Sequence, residues 1–293
     1  GVMKKGLKWM FNKSSPFYMK PRLDLDFLKW TLAFNKSCNS KHVKKVIPTI
    51  KNITLLSQDL YEDIKRDENF SFHYEKKGLL MLCQTDKALE DEIKTARLAK
   101  KEGLDAKEIN LKELKQLEPN IELNVKGATY YKCDSHTTPH EFMEEMKTHL
   151  KKKGVIFYIN EKVEDIEVEN QKISTIITSK QVLKADEFVL AAGSWSTFLN
   201  KKLGLNLLLQ AGKGYRINTT NQTNILIPAI LSEAKVAVTP MNGFTRFAGT
   251  MEIAGINLNI NKVRVQAIAD AAKRYYPEIN LSAEEKNNAA CGL

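Results

Sequence analysis

Between Val46 and Ile64 the apolar residues Val46, Ile50, Ile53, Leu56, Leu60 and Ile64 recur at steps of three and four. That spacing predicts a helix over His42–Asp67. Met3, Leu7, Met10 and Phe11 repeat the pattern on a shorter scale, with Lys4, Lys5 and Lys8 off the stripe. This segment reads as a short helix packed on its own core; the alternative is an amphipathic helix that meets a membrane surface. Asn12–Leu23, with Pro16 and Pro21, reads as a loop, and Asp24 as the N-cap of a helix over Leu25–Phe34. Asp86 is placed as the cap of a charged helix that runs to about Glu102 and stops at Gly103. Leu111–Leu117 is a short helix ended by Pro119. Thr138-Pro139-His140-Glu141 has the composition of a capping box, opening a helix with Phe142, Met146 and Leu150 on one face and Gly154 as its stop. Ala267–Tyr276 is helical up to Pro277.

Strand patterns fall between these helices. Phe70–Tyr74, Gly78–Gln84 and Lys126–Cys133 are candidates, followed by the short apolar run Val155–Ile159. Val163–Val168 and Ile173–Thr178 form a ribbon turning near Asn170-Gln171. Glu187–Ala192 reads as a buried parallel strand leading into a helix over Trp195–Leu203 that Gly204 stops. Lys213–Thr219, Lys235–Thr239 and Gly243–Ala248 read as antiparallel strands of a second sheet. The fold class expected is α/β with α+β character: part of a parallel-sheet domain beside a mixed or antiparallel sheet with helices.

Composition narrows the function. The chain has 293 residues, 43% hydrophobic and 27% charged, enough for two compact domains. No apolar run approaches the ~20 residues that span a bilayer. The net charge of +10 comes from lysines spread along the chain and interleaved with acids, so nucleic acid is not an expected partner. Cys38, Cys83, Cys133 and Cys291 are scattered, which fits reduced thiols in a cytoplasmic protein and no zinc motif. None of His42, His73, His136, His140 and His149 is paired at a metal-binding helix spacing, so each is assigned a surface or packing role and no metal is expected. There is no Gly-x-Ser-x-Gly elbow, no P-loop and no Gly-x-Gly-x-x-Gly.

Two glycine-centred segments remain. Phe188-Val189-Leu190-Ala191-Ala192-Gly193-Ser194-Trp195-Ser196 ends an apolar run in small residues, where another molecule can come close to the backbone. About twenty residues on, Gln210-Ala211-Gly212-Lys213-Gly214-Tyr215-Arg216 turns into a strand. With Arg246-Phe247-Ala248-Gly249-Thr250-Met251-Glu252, these segments resemble the D-amino-acid oxidase superfamily of FAD-dependent oxidoreductases, nearest its bacterial D-amino-acid dehydrogenase branch, with glycine oxidase next. Lys20-Pro21-Arg22 and Leu117-Glu118-Pro119 extend the similarity over nearly the whole chain.

The resemblance implies FAD as cofactor and a D-amino acid as substrate, with hydride passing from Cα to the flavin N5 and the imino acid hydrolysing in water. It implies cofactor contacts from Val163, Ala191, Ala192, Gly193, Trp195, Gly249 and Thr250. Arg246 is the first choice of carboxylate ligand, with Tyr215 and Arg216 next. It implies a substrate-binding or cap region over 1–134, part of the FAD domain over 135–204, a substrate-binding sheet over 205–260 and a returning helix over 261–293. A quinone or membrane-surface acceptor is expected, hence a peripheral location on the inner membrane. Family members carry a glycine-rich fingerprint before, and an Arg-Pro segment after, the stretch that matches here. The chain is therefore expected to be a truncated form, inactive and aggregation-prone in isolation. A glycine- or sarcosine-oxidase-like enzyme, a glycerol-3-phosphate-dehydrogenase-like enzyme and a non-catalytic amino-acid-binding module are the alternatives.

Overall fold

A computed structural model of the chain describes residues 15–200 and 202–293. The amphipathic stretch Met3–Phe11 lies outside the described residues. In chain order the elements are β1 (Phe17–Met19), α1 (Leu25–Ser37), α2 (Ser40–Asp67), β2 (Tyr74–Glu75), β3 (Leu79–Cys83), α3 (Asp86–Lys101), β4 (Ala106–Ile109), α4 (Leu111–Leu117), β5 (Gly127–Tyr131) and β6 (His136–Thr137). They continue with α5 (Pro139–Lys152), β7 (Val163–Glu169), β8 (Lys172–Thr178), β9 (Val182–Leu183), α6 (Ser196–Asn200), β10 (Lys213–Thr219), β11 (Ala229–Leu231), β12 (Val236–Met241), β13 (Phe244–Ile253), α7 (Lys262–Tyr275), α8 (Ala283–Asn287) and β14 (Ala290–Gly292). The class is mixed α/β, as expected.

One large sheet organises the molecule, in the order β14-β10-β13-β12-β11-β3-β5-β4, with β1 added against the far end of β13. All its pairings are antiparallel except β1 with β13 and β11 with β3. The β11–β3 pairing joins the β11–β12–β13 meander to the β3-β5-β4 group, Leu80 lying opposite Ala229. β10 alternates strictly, with Lys213, Tyr215, Ile217 and Thr219 buried and the residues between them facing outward. The buried face meets α7, whose Val265, Ile268, Ala272 and Tyr275 share the core with Leu80, Leu82 and Phe247. Leu79 and Met81, the alternate residues of β3, face α2 across a cavity of about 460 Å³.

Local signals placed most helices. Asp24 accepts the Phe27 N–H and caps α1. Asn110 and Glu113 form a reciprocal capping box on α4. Gly103 and Gly154, both at φ +87°, end α3 and α5. Asn170 and Gln171 turn the β7–β8 ribbon with φ of 51° and 62°, the left-handed pair a two-residue hairpin needs.

Several expectations are corrected. β1 interrupts the loop expected over Asn12–Leu23. Thr85, not Asp86, caps α3. Thr138 makes no cap bond on α5; its hydroxyl instead takes the Asn242 N–H and meets His73, while Glu141 accepts the His73 N–H. Only Tyr74–Glu75 is strand where Phe70–Tyr74 was expected. Val155–Ile159 and Glu187–Ala192 are irregular, with Ile156 and Val189 exposed. A strand exists only with a hydrogen-bonding neighbour, and among the described residues none lies beside either run. The helix expected over Trp195–Leu203 is a 3₁₀ turn at Gly193–Trp195 followed by α6. The α2 stripe is helical as predicted, yet Ile50, Ile53, Leu56 and Leu60 are exposed.

Candidate functional site

β10 and β13 run side by side with Asn218 opposite Arg246 and Arg216 opposite Ala248. Residues two apart on a strand share a face, so Arg216, Asn218 and Arg246 project from the same side of the sheet. Arg246 donates from Nε to Asn218 Oδ1 at 3.1 Å, and its guanidinium lies 5.4 Å from the Phe244 ring centroid. Burial lowers the Arg246 pKa from its ordinary value, and the charge of Arg216 adds to the shift. The two arginines line a cleft of about 550 Å³ with His140, Met143, Lys147 and Phe157. Glu144 lines it too, but among the described residues no carboxylate is ion-paired to either arginine. Two guanidinium groups without ion-pair partners among the described residues, Arg246 partly buried and Arg216 exposed, form a receptor for a carboxylate or similar planar anion.

Tyr215 is turned the other way. Its side chain is buried in the core and its hydroxyl donates to Glu252 Oε2 at 2.8 Å. Burial pushes its pKa up, and the bond to the Glu252 carboxylate pushes it further. Glu252 also pairs with Lys213 Nζ at 3.2 Å and Arg264 Nε at 3.0 Å, both cations 2% exposed. Lys213 is further held by Asn257 Oδ1 at 2.6 Å. The chain folds this way because the β10 alternation leaves Lys213 and Tyr215 no other face. Lys213 stands out in sequence between two glycines, whereas nothing in the sequence marks Glu252 or Arg264 as its partners.

Ala191 and Gly193 are exposed, Ala192 and Ser194 partly so. Gly193 has φ +52° and nothing within 4 Å of where a Cβ would stand. Trp195 is about half exposed, and Val163, opening β7, is partly exposed. This surface is open and poor in side chains, which fits a molecule approaching the backbone. Gly249 is different: a Cβ there would lie 2.9 Å from Val236 Cγ2 and 3.3 Å from Ile268 Cγ1, so α7 and β12 close it over. Thr250 carries φ +69°, a strained conformation for a β-branched residue. The residues present thus fit an FAD molecule along the Ala191–Gly193 edge. They supply no glycine-rich turn for its pyrophosphate.

A second cluster shares no residue with the arginine cleft. His73, Glu75 and His136 bring ligand atoms within 4.8 Å of one another. The histidines are 63 positions apart and meet across strands, which a search for helical spacing misses.

Residues 34–293 match the family described as FAD dependent oxidoreductase, and the chain belongs to that family. A D-amino acid dehydrogenase of Helicobacter pylori is 29% identical over 268 residues, covering 90% of this chain and 64% of the relative. One of Dechloromonas aromatica (strain RCB) is 26% identical over 304 residues, covering 100% of this chain and 72% of the relative. The solved glycine oxidase from Bacillus cereus ATCC 14579 superposes with a TM-score of 0.69 at 21% identity, covering 82% of this chain and 65% of that one, a likeness of fold. The chain therefore spans about 64% of the length of the Helicobacter pylori relative.

Proposed function

We propose that this chain forms the substrate-binding part of an FAD-dependent dehydrogenase of D-amino acids, with Arg216 and Arg246 receiving the substrate carboxylate. The observation that carries this reading is the two arginines on one sheet face with no carboxylate paired to either among the described residues. Asn218 and Phe244 orient Arg246, so its fork meets the carboxylate with little loss of freedom. Met143 and Phe157 supply an apolar wall for the substrate side chain. Tyr215 supports the site from beneath, fixing β10 through Glu252. Ala191, Ala192, Gly193, Trp195 and Val163 line the nucleotide side of the cofactor, and Gly249 and Thr250 hold the sheet end near its ring. In this reading 1–134 and 205–260 chiefly serve the substrate and 135–204 and 261–293 chiefly the cofactor, with Met143 and Phe157 reaching from the cofactor part into the substrate cleft and Gly249 and Thr250 from the sheet toward the cofactor.

When bound, the flavin supplies a two-electron acceptor for the hydride leaving the substrate Cα. The chain's own tasks are to anchor the carboxylate and shield the reacting carbon from water. A quinone or another acceptor at a membrane surface would take the electrons from such a flavin. The exposed Ile50, Ile53, Leu56 and Leu60 of α2 support that arrangement. No helix of the described residues is long and apolar enough to cross a membrane.

The test is calorimetric titration of the chain, with FAD supplied, by D-alanine and L-alanine. D-alanine is expected to bind, and Arg246→Met to weaken it at least about tenfold. Flavin absorbance of the purified chain reads cofactor retention separately. Equal binding by wild type and an Arg216→Met/Arg246→Met double variant would end the reading.

A further inference from the structure

We propose that His73, Glu75 and His136 bind one divalent transition-metal ion of the zinc type. β2 and β6 form a two-stranded antiparallel ribbon with Glu75 directly opposite His136. His73 precedes Glu75 by two positions, and alternation along an extended chain puts both on one side. Directly opposed residues hold their Cβ atoms about 5 Å apart. The ribbon therefore converges three potential ligands without any helical motif.

The distances suit a metal. His73 Nε2 lies 3.5 Å from Glu75 Oε2, and His136 Nε2 lies 3.4 Å from the same oxygen. A tetrahedral zinc with bonds of ~2.0–2.1 Å has ligand–ligand edges of about 3.3–3.4 Å. The donor set, two imidazoles and one carboxylate with no thiolate, suits zinc, cobalt or nickel rather than calcium or magnesium.

Two further observations point the same way. The His136 side chain is 8% exposed, and both its ring nitrogens are buried without a hydrogen-bond partner among the described residues. Buried polar groups are nearly always satisfied, and an ion at Nε2 would give that nitrogen a partner. His73 is oriented from behind: its Nδ1 lies 2.9 Å from Thr138 Oγ1. With a metal on Nε2 the proton sits on Nδ1 and is donated to that hydroxyl, the outer-shell support metal-binding histidines use. The departure of Thr138 from its capping role thus acquires a purpose. The ion would join the two strands immediately before α5, the helix whose His140 and Met143 line the arginine cleft.

One group competes. Lys77 Nζ lies 2.9 Å from Glu75 Oε2, the oxygen the metal would use. The ammonium already neutralises this carboxylate, so metal binding requires it to swing away. That rivalry makes Lys77 the most diagnostic position.

The chelator-stripped 293-residue chain is titrated with Zn²⁺ by calorimetry and with Co²⁺ by visible absorption. One ion per chain is expected, with Co²⁺ giving the absorption of a low-symmetry nitrogen and oxygen site. His73→Ala, His136→Ala and Glu75→Gln are each expected to weaken binding at least about tenfold. Lys77→Met is expected to tighten it. His149→Ala, which breaks the contact with Glu68 at 3.5 Å instead, should leave it unchanged. Circular dichroism checks folding, and if His136→Ala unfolds, Glu75→Gln and Lys77→Met decide. The proposal is overturned if the wild type takes up no more zinc than a His73→Ala/His136→Ala double variant. Equal loss in His149→Ala, or no tightening in Lys77→Met, overturns it as well.

Discussion

Asn218 faces Arg246 directly across β10 and β13 and holds its Nε at 3.1 Å. The bond uses Nε, and Arg246 lines the cleft, so the terminal nitrogens remain for a carboxylate. Asn218→Ala should weaken D-amino-acid binding by about 1 kcal/mol, roughly fivefold, the usual worth of one such bond. Arg246→Lys should cost more, since a point charge cannot reproduce the fork. Isothermal titration of both variants checks the ranking, and a larger effect for Asn218→Ala than for Arg246→Lys contradicts it.

Glu252 holds two buried cations and a buried phenol together. Glu252→Gln leaves Lys213 and Arg264 charged in the core without a counter-ion. Removing one partner of a buried pair destabilises by roughly 3–5 kcal/mol. Urea denaturation should show a loss of that size, and a loss under about 1 kcal/mol would mean water reaches the network.

Glu118 sits at the end of α4, 2% exposed, and accepts the backbone N–H groups of Leu226 and Ile227. Burial pushes its pKa up to about 7, against the opposing pull of those two bonds. The folded chain therefore keeps this proton where the unfolded chain has lost it. Its stabilising effect is full below the unfolded value and is lost as pH rises toward 7. A shift of this size corresponds to ~3 kcal/mol. Stability measured from pH 4.5 to 7 should fall more steeply for wild type than for Glu118→Gln, and parallel curves would refute the assignment.

Gly249 and Gly193 are glycines for different reasons, and alanine separates them. At Gly249 the new methyl meets Val236 and Ile268, which should cost roughly 1–3 kcal/mol of stability. At Gly193 it meets nothing, so only the left-handed backbone resists, at about 1 kcal/mol. If FAD approaches at Gly193, Gly193→Ala should lower flavin affinity by far more than it lowers the melting temperature. Fluorescence titration with FAD beside a thermal melt reads both.

What was legible in the sequence follows how local each signal is. α4 is read to the residue, with Pro119 as its stop, and the structure adds the reciprocal Asn110–Glu113 cap at its start, a signal equally local. The β7–β8 turn at Asn170-Gln171 is legible for the same reason. Glu187–Ala192 carries the composition of a buried strand, but a strand is a property of a pair, and no neighbour stands beside it among the described residues. In the candidate site, the arginines could be named from residue type and motif. Which face each residue takes depends on register: Tyr215 and Arg216 are adjacent in sequence and opposite in space. The meeting of His73 with His136 depends on a cross-strand pairing that no sequence interval announces.

The parallel pairing of β3 with β11 has a kinetic consequence. Cys83 and Ser232, in contact beside that seam, are 149 positions apart, whereas β11, β12 and β13 follow one another through short turns. Bringing such distant segments together costs loop-closure entropy before any contact compensates it. The β11–β12–β13 meander should therefore form early and dock against β3 late. Tryptophan fluorescence and pulsed hydrogen exchange would report protection within β12–β13 before protection at Leu80 and Leu82. A destabilising change at the seam, such as Leu82→Ala, would then speed unfolding while leaving the early phase of refolding untouched.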